Sequence, residues 1–203
     1  MRLLFARHGE TDWNAQRRFL GSTDLPLNAH GQTQARALAG RVPDGIDVIV
    51  ASPLQRAAQT AAAVAERLAL PVAHDDAFVE RCVGVFEGLN LEEITARYPD
   101  EWARKVARQW ALAPQGGESI EAVFARVGEG LLRLQQQYAG QTVLLVAHAF
   151  VGRVVHALHQ PLDAEGFFAY VLDNAQLVEY GQASGLRTLD EARSSFLAPP
   201  QAD

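Results

Sequence analysis

Three short apolar runs, Leu3 to Ala6, Ile46 to Ala51 and Val143 to Ala147, constrain this chain most. Each is nearly continuous rather than alternating, the pattern of a strand covered on both faces. Helical patterns lie between them. From Leu27 to Val42, apolar Ala35, Leu38, Ala39 and Val42 recur at helical spacing behind an N-cap residue, Asn28, and the run stops at Pro43. A second, alanine-rich run from Leu54 to Leu70 ends at Pro71, after which Pro71 to Asp75 reads as another short strand. This order predicts βαβ units and a mostly parallel sheet inside a three-layer α/β/α sandwich.

Residues 90–137 show no strand pattern and read as a helical excursion. Helices are predicted for Leu91 to Tyr98, Asp100 to Trp110 and Ser119 to Gln137, separated by Pro99 and by Pro114-Gln115-Gly116-Gly117. Gln176 to Tyr180 and Leu186 to Leu189 predict closing strands, and residues 197–203 a flexible tail. At 203 residues, 48% of them apolar, one domain spanning 1–203 is the expectation.

Charge narrows the partners. A formal charge of -6 argues against a nucleic-acid groove or an anionic membrane surface, since both require clustered positive charge. The opening Met1 to Ala6 is too short for a signal-peptide core and reads as a buried strand. A single cysteine, Cys82, gives no disulfide framework and fits a reducing, cytoplasmic setting.

In open α/β sheets, ligands bind beyond the carboxyl ends of the strands. Arg7 and His8 follow the first strand, Ser52 to Arg56 follow the second, His148 follows Val143 to Ala147, and Glu80 lies beyond Pro71 to Asp75. Taken singly, each has a structural reading; a histidine at a strand end is more often a hydrogen-bonded framework residue than a catalyst. Delivered together to one rim, they suit phosphate chemistry. Guanidinium forks match phosphate oxygens, and adjacent Arg7 and Arg56 disfavour protonation of His8, leaving its imidazole nucleophilic. His148 can stabilise the transferring phosphoryl group, and Glu80 can protonate the leaving oxygen and then activate water.

The run Leu4 to Asn14, with Arg7-His8-Gly9-Glu10-Thr11 at its centre, resembles the signature of the histidine phosphatase superfamily, the phosphoglycerate mutase-like group with an Arg-His-Gly motif. The likeness continues through Gly21 to Leu27, Ser52 to Ala61, Glu80 with Phe86-Glu87-Gly88, Pro114 to Ser119 and Leu145 to His148, and it covers roughly residues 3–175. The resemblance implies a phosphoglycerate mutase-like fold, with His8 as the phosphorylated histidine and Glu80 as the proton donor. Arg7, Arg56 and His148 would complete the phosphate pocket, and Asn14, Gly21, Ser22 and Ala149 would add contacts to the substrate. Leu20 and Ala149 depart from the family pattern, standing where a polar residue and a glycine are common.

The resemblance implies either a phosphatase or a cofactor-dependent mutase, acting on a small phosphorylated substrate. The short chain and weakly basic excursion favour the phosphatase; a non-catalytic binding member of the fold is the remaining alternative. A divalent metal held by His8, His148 and Glu80 conflicts with the two arginines beside them, so no metal is expected. No cofactor is expected either, apart from 2,3-bisphosphoglycerate as primer in a mutase. A homodimer is compatible with the family. Tyr98, Arg97, Trp102, Arg104, Lys105 and Trp110 are candidates to line the substrate entrance. His156 and His159, three apart on a predicted helix, read as packing residues.

Overall fold

The computed structural model describes residues 1–182 and 185–199. Five strands form one sheet in the order β3-β2-β4-β1-β5: β1 (Arg2–Arg7), β2 (Val48–Ala51), β3 (Val72–His74), β4 (Thr142–Ala147) and β5 (Leu177–Gln182). All neighbouring pairs are parallel except β1 with β5. β5 takes the edge position, where the chain can return antiparallel without a crossover helix.

Successive strand residues point to opposite faces, and the core divides accordingly. Leu4, Ala6, Ile49, Ala51, Leu144 and Val146 pack under α2 (Ala29–Arg41) and α3 (Gln55–Leu68). Leu3, Phe5, Val50, Val143, Leu145 and Ala147 pack under α6 (Ile120–Gln137), α7 (Ala149–His159), α8 (Ala164–Ala169) and α9 (Leu189–Phe196). The expected sandwich is therefore present, and α6 belongs to its outer layer. Among the described residues, no helix is long and apolar enough to cross a membrane.

The remaining helices are short: α1 (Asp12–Ala15), α4 (Leu91–Arg97) and α5 (Pro99–Ala103). The single helix expected over Asp100 to Trp110 does not form. The chain takes a left-handed conformation at Lys105 (φ 51°), and a 3-10 turn follows at Val106–Arg108. Packing explains the break. Val106 is buried in a satellite cluster with Phe86 and Ile94, whereas Trp110 is buried in the main core, 4.9 Å from Phe124 and 5.2 Å from Phe196 between ring centroids. Residues four apart on a helix share one face, so a helix could not serve both clusters.

Leu186 to Leu189, expected as a strand, instead leads into α9. Thr188 and Glu191 form a reciprocal capping box there, which satisfies amides that would otherwise be orphaned at the helix start. The expected tail begins where α9 ends; residues 200–203 lie outside the described residues.

Candidate active site

Parallel pairing brings the carboxyl ends of β1, β4 and β2 level, with Arg7 opposite Ala147 and Ala51 opposite Val146. The residues just beyond, His8, His148 and Ser52, are therefore neighbours, all buried. The two imidazole rings lie 5.1 Å apart, tilted by 59°.

His8 is held from several directions. Its Nδ1 lies 2.6 Å from the Gly9 carbonyl. A carbonyl can only accept, so Nδ1 carries the hydrogen and Nε2 keeps its lone pair. The His8 carbonyl accepts from Ala175 N at 3.1 Å and Asn174 Nδ2 at 3.1 Å. Gly9 N donates to Thr60 Oγ1, which donates in turn to the Arg56 carbonyl. Burial, followed by the charges of Arg7 and Arg56, holds the His8 pKa well below the ordinary histidine value of 6.5. His148 is lowered well below 6.5 for the same leading reason, burial, with Arg56 next. Sequence reasoning gave the arginines the leading part in keeping His8 neutral; in the folded protein, desolvation is larger.

Arg7 donates one bond to the Leu172 carbonyl at 2.5 Å, and its buried Nε has no partner. Arg56 donates to the carbonyls of Gly21 at 2.8 Å and Thr23 at 2.7 Å, and its Nε is likewise buried without a partner. Buried donors are normally paired, so these guanidinium groups are set to receive an anion. Asn14 Oδ1 is occupied by Thr11 N and Thr11 Oγ1, both at 3.1 Å, and by Asn174 Nδ2 at 3.4 Å, so its amide NH2 is the end free for a ligand. Glu80 Oε1 accepts from Arg81 N at 2.8 Å and Oε2 from Phe150 N at 3.1 Å, which ties the carboxylate to the first turn of α7.

These side chains open onto a cleft of about 350 Å³ lined by Arg7, His8, Asn14, Gly21, Arg56, Glu80 and Ala149 among others. His148 backs the pocket without lining it, and Ser22 turns elsewhere: its N–H and hydroxyl both donate to Glu87 Oε1, at 2.9 and 3.1 Å. Leu20 contributes an apolar wall. Of the residues expected at the entrance, Trp102 lines the cleft, whereas Trp110 is core, Tyr98 packs on Phe86, and Arg97, Arg104 and Lys105 lie outside the lining. His156 stacks on Tyr170 at 3.9 Å and His159 on Tyr180 at 4.5 Å, the packing roles expected of them.

A model of the histidine phosphatase superfamily (branch 1) matches residues 3–193. The chain belongs to that family. This histidine phosphatase is 44% identical over 153 residues to the uncharacterized phosphatase PhoE of Bacillus subtilis (strain 168), covering 75% of this chain and 72% of the relative. It is 33% identical over 176 residues to phosphoserine phosphatase 1 of Hydrogenobacter thermophilus (strain DSM 6534 / IAM 12695 / TK-6), covering 86% and 83%. A mycobacterial glucosyl-3-phosphoglycerate phosphatase in complex with VO3 superposes with a TM-score of 0.78 at 32% identity, covering 88% of this chain and 91% of that one. Phosphoglycerate mutases dependent on 2,3-bisphosphoglycerate are also among the relatives. The phosphoglycerate mutase-like fold expected from the motifs is the one observed.

Sequence reasoning gave no role to Ser52, Glu87, Arg108, Arg153 or Phe168. Ser52 Oγ lies 2.8 Å from His148 Nε2. Glu87 gathers the loop that holds Arg56: its carboxylate accepts from Ser22, from Thr23 N at 3.0 Å and Oγ1 at 2.5 Å, and from Val83 N at 3.2 Å. Burial disfavours its charge, but bonds led by that from Thr23 outweigh it and hold the Glu87 pKa below the ordinary carboxylate value. Gly21 can approach Glu87 only as glycine, with φ +55° and a Cβ that would sit 2.0 Å from Oε1.

Proposed function

We propose that this protein is a metal-independent phosphomonoester phosphatase that acts on small phosphorylated metabolites through a phosphohistidine at His8 Nε2. The observation that carries the reading is the Nδ1 bond from His8 to the Gly9 carbonyl, which leaves an unprotonated Nε2 beside arginine donors that have no protein partner. Two fixed guanidinium charges in the same pocket favour a phosphate over a divalent cation.

Arg7, Arg56 and the Asn14 amide hold the phosphate oxygens. The His8 Nε2 lone pair forms the N–P bond as the ester P–O bond breaks, and Glu80, carrying a proton, delivers it to the leaving oxygen. Glu80, now a carboxylate, takes a proton from water, whose oxygen attacks phosphorus as the N–P bond breaks. Phosphate leaves and His8 returns to its Nδ1–H form. His148 supports the equatorial oxygens: when the Ser52 hydroxyl donates to Nε2, the imidazole hydrogen sits on Nδ1, which is buried without a partner. Stabilising this spread charge is the main catalytic task in phosphoryl transfer.

Quenching in alkaline detergent during turnover of radiolabelled phenyl phosphate, followed by acid treatment of the trapped protein, tests the reading. An acid-labile phosphoprotein that disappears in His8→Gln, together with loss of phosphate release, is expected; turnover retained in His8→Gln overturns it. Phosphate release from 3-phosphoglycerate, measured beside its conversion to the 2-isomer with 2,3-bisphosphoglycerate present, separates hydrolysis from mutase transfer. Release is expected to dominate.

A further inference from the structure

The chain carries a net charge of -6, yet its cleft is lined by five arginines, Arg7, Arg56, Arg81, Arg108 and Arg153, against one carboxylate, Glu80. One phosphate does not account for them all. Arg7 and Arg56 face the reacting end. Arg81 is held largely by the framework, with Nε on the Glu118 carbonyl at 2.8 Å, Nη1 on the Ala107 carbonyl at 2.7 Å and its plane against Phe150 at 4.8 Å, which leaves only its buried Nη2 without a partner.

Arg108 and Arg153 remain, and they share one aromatic ring. The Arg108 guanidinium carbon lies 4.3 Å from the Phe168 centroid and that of Arg153 lies 6.0 Å from it. A ring face orients a guanidinium while leaving its N–H edge open to bidentate contact with a carboxylate or phosphate. Arg153 is further fixed by its Nε bond to the Tyr170 carbonyl at 2.9 Å. Among the described residues, neither arginine forms an ion pair with an acidic side chain. The wall around them is apolar, built from Phe19, Trp102, Phe150 and Phe168.

We infer that Arg108 and Arg153, oriented by Phe168, form a second anion subsite, and that preferred substrates are phosphomonoesters with a further anionic group on a compact apolar or aromatic body. The inference rests on the phosphatase reading for the position of the first phosphate. That further group is a carboxylate or a second phosphate, to either of which a guanidinium edge donates alike.

The test compares kcat/KM for phenyl phosphate, 3-carboxyphenyl phosphate and 1,3-phenylene bisphosphate. Each additional charge-assisted hydrogen bond to the substrate corresponds to about tenfold or more. One or both anionic esters are expected to exceed phenyl phosphate by that factor, and the better of the two identifies the group. Arg108→Met, at an exposed position, and Arg153→Met are each expected to reduce the ratio about tenfold, whereas Arg36→Met on the far side helix α2 leaves it unchanged. Equal use of all three esters by the wild-type protein, or a ratio unaltered in both arginine variants, overturns the subsite. Should no ester release phosphate, the phosphatase reading fails separately. Calorimetric binding of 3-carboxyphenylphosphonate against phenylphosphonate then decides the subsite, with the same expected ratio and the same two variants.

Discussion

His148 Nε2 and Ser52 Oγ lie 2.8 Å apart in a pair fully buried at the ends of β4 and β2. The serine also accepts from Leu54 N at 3.4 Å, which orients its hydroxyl towards the ring. Deleting that hydroxyl leaves a ring nitrogen without a partner where water has no access, at a cost of about 1–3 kcal/mol. Ser52→Ala is expected to lower kcat for phenyl phosphate about tenfold, and Ser52→Thr, which keeps the hydroxyl, to recover most of it. Steady-state kinetics on the two variants decides, since a role in packing alone predicts equal values for both.

Glu87 acts one step behind the phosphate pocket. The carbonyls of Gly21 and Thr23 hold the Arg56 guanidinium, and Glu87 holds that loop through bonds from Ser22 and Thr23. Glu87→Gln replaces one acceptor oxygen by a donor and removes the charge, so about 1.5–3 kcal/mol of stability is expected to be lost. Inorganic phosphate is expected to inhibit the variant several-fold more weakly, because Arg56 loses its frame. Urea unfolding and phosphate inhibition measure the two effects; unchanged inhibition would show that the loop does not position Arg56.

Gly152 sits on α7 against β1. Alanine normally stabilises a helix interior by about 1 kcal/mol relative to glycine. Here an added Cβ would lie 2.3 Å from Leu172 Cδ1 and 2.9 Å from Phe5 Cε1, both in the core. Overpacking costs about 1–3 kcal/mol, so net destabilisation is expected in thermal unfolding. Displacement of Leu172 also moves the carbonyl that holds Arg7, and a raised KM should accompany the lower melting temperature.

The buried histidines make stability depend on pH. His8 and His148 have folded-state pKa values well below the ordinary 6.5, so below about pH 6.5 the unfolded chain binds protons that the folded protein refuses. The stabilisation is complete above 6.5 and is lost as pH falls from there towards the folded values, with a slope of up to about 1.4 kcal/mol per pH unit for each histidine. Unfolding free energies measured from pH 7.5 to 5 should fall on the acid side. Replacing His148 by Asn should flatten the slope, and an unchanged slope would count against this origin.

Much of the sandwich was legible because its signals are local. Continuous apolar runs marked β1, β2 and β4, and Asn28 with Pro43 bounded α2 closely, since a strand covered on both faces and a capped amphipathic helix leave their pattern in adjacent residues. The rule that ligands gather at strand ends then led to His8, Arg7, Arg56 and Glu80, which the fold brings to one cleft, and to His148, which stands behind it. One local signal went unread: Thr188 with Glu191 starts α9. The break at Lys105 in the helix expected over Asp100 to Trp110 was not local, since Val106 and Trp110 are drawn into separate cores. The rest depended on long-range packing. Ser52 meets His148 across 96 residues of sequence and Ser22 meets Glu87 across 65, and Arg108 and Arg153 converge on Phe168 from different elements. Residue order was enough to say which chemistry the chain could carry and on which strand ends. The packing of distant segments decided which carboxylate braces the Gly21–Thr23 loop, which hydroxyl meets His148, and which arginines line the cleft, because a contact's identity depends on the register and crossing of elements that no local pattern encodes.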